Sequence, residues 1–198
     1  APGAPCDSPT RAMTGPPRHA YGSPMAEPLA YFITASAYGN RRHGDERGTV
    51  DRDHNSVGTP FRQPEPGLAA WERERMVGDS VYFDAARRAC VEGSFLATCM
   101  HRGWTLQAVH CRTNHTHVVL TSDASIEQTA HSLKSHATRA LRHAGLVGPR
   151  QPVWARSASM KTLTSDHAVA SAVNYTLNAQ GADLGGTYAK RTRDLWED

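Results

Sequence analysis

Residues 113–120 read Thr-Asn-His-Thr-His-Val-Val-Leu, an alternating stretch rich in β-branched residues with two histidines one position apart. The pattern predicts a β-strand. Residues two apart on a strand share a face, about 6–7 Å from one another. His115 and His117 can therefore aim both imidazoles at one metal ion, while Thr116 and Val118 face the other way. Imidazole pairs by themselves point to zinc, nickel and other borderline metals rather than magnesium. A His-x-His strand standing alone is more often two half-exposed polar residues, so a second group has to be found elsewhere in the chain.

The strongest candidate is Tyr175. The last helix is expected from Asp166, its cap, to about Ala179, with an apolar stripe at Val169, Ala172, Val173 and Thr176. Tyr175 sits on the flank of that stripe beside Ala168, Ser171 and Ala179, small residues that leave space in front of its hydroxyl. Such a tyrosine is either an amphipathic side chain with a wet tip or a nucleophile.

The elements that must position these groups can be read from pattern. Residues 29–38 form the first strand, with Tyr31, Ile33 and Ala35 on one face and Phe32, Thr34 and Ser36 on the other. A short helix is expected at Trp71 to Met76. A long one runs from Asp84 to His101, with Ala86, Ala89, Cys90, Gly93, Leu96, Ala97 and Met100 as its inward stripe and Arg87, Arg88 and Glu92 elsewhere. Gly103 stops it. Trp104 to Arg112 is a strand that should pair with the histidine strand as an antiparallel hairpin. The helix from Ile126 to Ala144 buries Ile126, Ala130, Leu133, Ala137, Ala140, Leu141 and Ala144, and gathers His131, Lys134, Arg142 and, at the edge, Arg139 on its other side. Val153 to Thr164, which holds Val153-Trp154-Ala155-Arg156 and then a polar segment, is expected to be a short strand or hairpin. The order strand, helix, strand, strand, helix, strand, helix implies an α+β fold: an antiparallel sheet of about four to five strands with helices on one face, the other face open to a substrate.

Composition bounds the rest. The 198 residues suit one domain, expected over 29–183, with a Pro/Gly-rich leader at 1–28 that cannot order itself, a long charged insertion at 39–70 and a flexible tail at 184–198. A net charge of +3 and a pI near 8.8 permit a polyanionic partner without requiring one. The four cysteines lack C-x-x-C spacing and read as reduced thiols. No run is long and apolar enough for a membrane span and no signal-peptide pattern leads the chain, so a soluble cytoplasmic protein with no membrane partner is expected. Met25 is a plausible native start.

The ordered set of motifs resembles the single-tyrosine transposases of the HUH superfamily, especially the REP-associated tyrosine transposases. It comprises His101-Arg102-Gly103-Trp104-Thr105-Leu106, then Asn114-His115-Thr116-His117-Val118-Val119, then Tyr175-Thr176-Leu177-Asn178-Ala179-Gln180-Gly181. Leu133-Lys134-Ser135, Val153-Trp154-Ala155-Arg156 and the Gly44-Asp45-Glu46-Arg47-Gly48 loop are also similar to that group. The resemblance implies a ferredoxin-like HUH endonuclease fold and a metal-dependent single-stranded DNA endonuclease and strand transferase. Tyr175 would be the nucleophile, forming a 5′-phosphotyrosine, and Mg²⁺ or Mn²⁺ the ion held by His115, His117 and a third ligand. Mn²⁺ matches nitrogen ligands better. Many relatives carry the third ligand one turn after the tyrosine, where this chain has Ala179. Asn178, at i+3, shares the tyrosine's side of a regular helix. A helix ending before Gly181 would instead free Gln180 to turn back, and the Gln-Gly ending resembles a subgroup with glutamine at this offset, which puts Gln180 ahead with Asn178 as the alternative.

The partner implied is single-stranded or hairpin DNA. Lys134, Arg139 and Arg142 are candidate phosphate contacts, against the commoner case of a merely solvated face. Trp104 and Trp154 are candidate base-stacking residues, against the commoner case of core. A catalytically inactive nucleic-acid-binding module of the same fold is the alternative. A zinc hydrolase is disfavoured by the absence of H-E-x-x-H. Monomer and homodimer are equally open.

Overall fold

Alternation in residues 29–38 produces strand β1 (Ala30–Ala37) in a computed structural model that describes residues 28–40 and 63–181. Apart from Pro28 the expected leader lies outside the described residues, as do the tail and the Gly44 to Gly48 loop. The other elements are α1 (Pro66–Glu74), α2 (Ala85–Arg102), β2 (Thr105–Cys111), β3 (His115–Thr121), α3 (Ile126–His143), β4 (Trp154–Leu163) and α4 (Asp166–Asn178). The strands form one antiparallel sheet in the order β2-β3-β1-β4, an α+β fold in which the histidine strand is central. None of the described helices is long and apolar enough to cross a membrane.

Strand alternation divides the core between two faces. Tyr31, Ile33, Val109, Val118 and Leu120 meet Val91 and Phe95 of α2 and Leu133, Ala137 and Leu141 of α3. On the other face Ala30, Ala108, Val119 and Leu163 meet Ala172 of α4, with Phe32, Val169 and Val173 at the edge of the cluster. The second face is therefore partly roofed by α4 rather than open along its whole width.

Several local expectations shift for identifiable reasons. α1 begins at Pro66 because proline, lacking an N–H, suits the first helical turn. The N-cap of α4 is Ser165, whose hydroxyl accepts from the Ala168 N–H, rather than Asp166. The segment expected from Val153 to Thr164 does form one strand, its polar residues tolerated because β4 is an edge strand with mostly exposed side chains. In α2 the buried side is Arg88, Val91, Glu92, Phe95, Thr98 and Cys99, while Met100 is 71% exposed. Bulk decides this: Val91 and Phe95 fill far more core than the small residues of the expected stripe, and they bring two charges in with them. α2 closes on Gly103 at φ 68°, a left-handed conformation that glycine adopts without strain.

The buried charges brace the β2–β3 hairpin. Glu92 Oε1 accepts from the Cys111 N–H at 2.6 Å, and Arg88 donates to the Phe83 carbonyl. Thr113 and Asn114, in the turn, accept from the backbone N–H groups of Phe83 and Ala37. Burial pushes the Glu92 carboxyl up to about 7, against the opposing pull of the Cys111 N–H and of Arg88. The folded state thus holds this proton more tightly than the unfolded chain. The associated stability is present below the ordinary carboxylate pKa and is lost as pH rises toward 7. The expected outcome is that Glu92→Gln, which can still accept from Cys111, gains on the order of 2–3 kcal/mol relative to wild type between pH 5 and pH 8. Urea unfolding across that range checks it; parallel pH profiles would contradict it.

Candidate active site

Pairing of β3 with both neighbours places the polar residues of three strands together. Thr34 of β1 and His110 of β2 are each the Cα partner of His117, and Ser36 is opposite His115. A register shift in β2 between Leu106 and Ala108 is what brings His110 into line with His117 on the face covered by α4. The His115 and His117 ring centroids are 4.7 Å apart with planes at 79°. Each ring is held through Nδ1. His117 Nδ1 lies 2.8 Å from Thr34 Oγ1, and His115 Nδ1 lies 2.7 Å from Asn114 Oδ1, which can only accept. With Nδ1 engaged in both, Nε2 is the nitrogen whose lone pair would serve a ligand.

α4 delivers the tyrosine. Its centroid lies 5.5 Å from that of His117 at 80°, and Phe32 stands against both: stacked on His117 at 5.6 Å and edge-on to Tyr175 at 6.0 Å. Tyr175 remains 45% exposed, so these ring contacts leave much of the side chain open to solvent.

The helix end separates the two amide candidates in space. α4 stops at Asn178, Ala179 is its C-cap, and Gly181 at φ 80° turns the chain. Gln180 folds back so that its Nε2 donates to the Tyr175 carbonyl at 3.0 Å, and its side chain also hydrogen-bonds His117. Asn178 instead donates to Asn174 Oδ1 on the exposed side of the helix. The site thus gathers His115, His117, Tyr175 and Gln180, and leaves Asn178 outside.

Burial first, then the neighbouring His115 and His110, push the His117 imidazole down to about 3; the Gln180 hydrogen bond opposes this and Arg112 adds to it. The ring is neutral at working pH, with a lone pair available for a metal. Among the described residues no three His, Cys, Asp or Glu side chains gather to hold an ion. A protein-derived third ligand here would be the Gln180 carboxamide.

The basic residues of α3 are not part of this cluster, because α3 covers the opposite face of the sheet. Lys134 donates to the Ala155 and Arg156 carbonyls at 2.7 and 3.3 Å, tying α3 to β4, and its burial lowers its pKa. Arg142 donates to the Gln151 carbonyl, and Arg139 is exposed on the same helix. Trp104 is buried with its indole N–H on Asp123, and Trp154 packs against Phe83 and Phe95. Both tryptophans are core. Thr34, Phe32, His110 and Arg112 are neighbours of His117 that the motifs did not flag. Alternation had set Phe32 and Thr34 on one face of β1, but nothing local said which strand that face would meet.

No family model matches the chain, and no curated protein matches it. Among solved structures, the chain is similar to a REP-associated tyrosine transposase bound to a REP hairpin: 11% identity, TM-score 0.42, over 75% of this chain and 64% of that one. It thus spans a little under two thirds of that protein's length. It is also similar to a Deinococcus radiodurans R1 protein provisionally described as a transposase: 16% identity, TM-score 0.38, over 81% of this chain and 98% of that one. Likeness at these scores carries no functional argument, and the chemistry rests on the site.

His117 should stay neutral from pH 7 to about pH 4, whereas an exposed imidazole charges around pH 6.5. Ring carbon and nitrogen shifts followed by NMR test this, and a midpoint for His117 above about 5.5 would contradict the burial described.

Proposed function

We propose that the protein is a single-stranded DNA endonuclease and strand transferase of the transposase type, acting through Tyr175. One observation carries the reading. A solvent-reachable tyrosine is packed edge-on against a buried neutral histidine whose partner imidazole and a carboxamide converge on the same spot. The motif resemblance to REP-associated tyrosine transposases names the same residues.

The residues fit a divalent ion. His115 and His117 through Nε2 and Gln180 through its carbonyl oxygen would hold it, and since all three ligands are uncharged, the full charge of the ion is kept for a phosphate. Mn²⁺ is the better match to two imidazoles, and Mg²⁺ the alternative. When bound, the ion supplies charge neutralisation and polarisation of the scissile phosphate.

The chain's own groups do the rest. Thr34 and Asn114 keep the two imidazoles in one orientation. Phe32 and His117 confine the Tyr175 ring, so that little rotamer freedom is lost when the phenol meets phosphorus. Tyr175 Oη attacks phosphorus, its proton passing to solvent. The phosphorus–O3′ bond breaks, leaving a 5′-phosphotyrosine and a 3′-oxygen that takes up a proton. The phosphodiester bond energy is retained, so an incoming 3′-OH can reverse the step and join strands without a nucleotide cofactor. The exposed phenol suits a strand whose backbone can be laid into the site, which favours single-stranded or hairpin DNA over plain duplex.

Incubation with labelled hairpin DNA and Mn²⁺ should give an SDS-stable protein–DNA adduct, and Tyr175→Phe should abolish it with folding unchanged. An adduct that survives Tyr175→Phe would move the nucleophile elsewhere. DNA binding with no adduct in the wild type would leave a binding module. Mn²⁺ titration of Gln180→Ala and Asn178→Ala should show a loss of about tenfold or more in the first and little in the second; the reverse order would exclude the Gln180 assignment.

A further inference from the structure

The α3 cations lie behind the sheet, so the positive charge that meets a substrate strand has to come from the face that carries Tyr175. Two residues on that face supply it. Arg112 follows the last residue of β2, and its backbone N–H donates to the His115 carbonyl at 2.7 Å. Its Nη2 is 3.7 Å from where a Cβ on Gly181 would stand. The guanidinium therefore lies against the turn that returns Gln180 to His117, on one side of the site. A guanidinium offers five donors in a fork that fits phosphate, so it can serve a phosphate alongside partners within the chain.

Lys161 lies on the other side. It is the Cα partner of Phe32 on the edge strand β4, and directly opposed residues share a face. Two positions further along, the pair Ala30 and Leu163 belongs to the α4-side cluster, which places Phe32 and Lys161 on that face as well. Lys161 is exposed, as is Ser159 opposite Thr34. Reading across the sheet, the row His110, His117, Thr34, Ser159 lies beside the row Ala108, Val119, Phe32, Lys161. α4 covers the β2–β3 side of these rows and leaves the β4 side exposed.

We infer that Arg112 and Lys161 are phosphate contacts at the two ends of a single-stranded DNA path that crosses the sheet from the β2–β3 hairpin, past Tyr175 and the half-buried Phe32 ring, to the β4 edge. The inference rests on the single-stranded DNA reading given above, and it assigns the backbone-tracking role to these residues in place of Lys134, Arg139 and Arg142.

The test is equilibrium binding of a fluorescent single-stranded oligonucleotide by the full chain in EDTA, where no cleavage intervenes, over a series of salt concentrations. Each phosphate contact on a single strand contributes about 0.7 to the log–log salt slope. Arg112→Gln and Lys161→Gln should each lower the slope by about that amount, and the double variant by about 1.4, with weaker binding at low salt. Arg112→Lys should restore most of the slope. Arg139→Gln with Arg142→Gln should leave it unchanged. Mn²⁺ affinity of Arg112→Gln should stay within about threefold of wild type, because a residue acting only by propping Gln180 would lower it further. If Arg112→Gln fails to fold, Lys161→Gln and Arg112→Lys still decide the matter. An unchanged slope in Lys161→Gln and in the double variant, or a loss confined to the α3 pair, overturns the inference. Wild-type protein that binds no single-stranded DNA overturns it too. A slope loss in a chain that forms no covalent adduct would keep this surface and remove the enzymatic reading, so the two can fail separately.

Discussion

Everything at this site depends on the register of β3 between its two neighbours. β3 is buried on both faces, with Thr116, Val118 and Leu120 turned to α2 and α3 while His117 and Val119 turn to α4. Because side chains alternate, a slip of one residue would exchange the two sets. The imidazoles would enter a core of Ile33, Phe95 and Leu133, and an unpartnered polar group there costs several kcal/mol, while Val118 and Leu120 would lose about 1.5–3 kcal/mol each of burial. Packing that has nothing to do with chemistry thus locks the pairing of His117 with Thr34 and His110.

That lock also sets the electrostatics. His117 is held beside two other imidazoles and Arg112, with no acid among the causes that shift it. A buried histidine next to a carboxylate would tend to keep its proton; one next to other bases and a guanidinium gives it up. Burial is the largest cause of that neutrality, and the neighbouring imidazoles and Arg112 add to it. The single hydrogen bond that opposes the trend comes from Gln180, which the turn after α4 brings back to His117.

The two faces of the sheet divide the work. α2 and α3 supply the large apolar core and the buried Glu92 and Arg88 that tie down the hairpin bearing the histidines. α4 contributes a smaller cluster, built on Ala172 and flanked by Val169 and Val173, and spends its last turn on Tyr175 and the Gln180 return. The helix that carries Tyr175 is therefore the less deeply anchored one.

What pattern alone determined was the identity of the elements and the chemistry-bearing residues on them. Alternation fixed the strands and the shared face of His115 and His117, helical spacing fixed α3 and α4, and Gly103 marked the end of α2, because these are properties of a few neighbouring residues. Where Asn178 and Gln180 lie relative to His117 depended on the helix end, which Gly181 hinted at and which the C-cap at Ala179 and the return of Gln180 make visible. Other features were decided only by tertiary structure. The irregularity in β2 aligns His110 with His117, and the β1–β3 register presents Thr34 and Phe32 to the site; both are pairings between residues distant in sequence. The burial of Arg88 and Glu92 in α2 runs against their polarity, since the bulk of Val91 and Phe95 chose the inward face. Lys134 reads as a solvent cation on its helix, and becomes a tie to β4 only because that strand begins beside it with the carbonyls of Ala155 and Arg156.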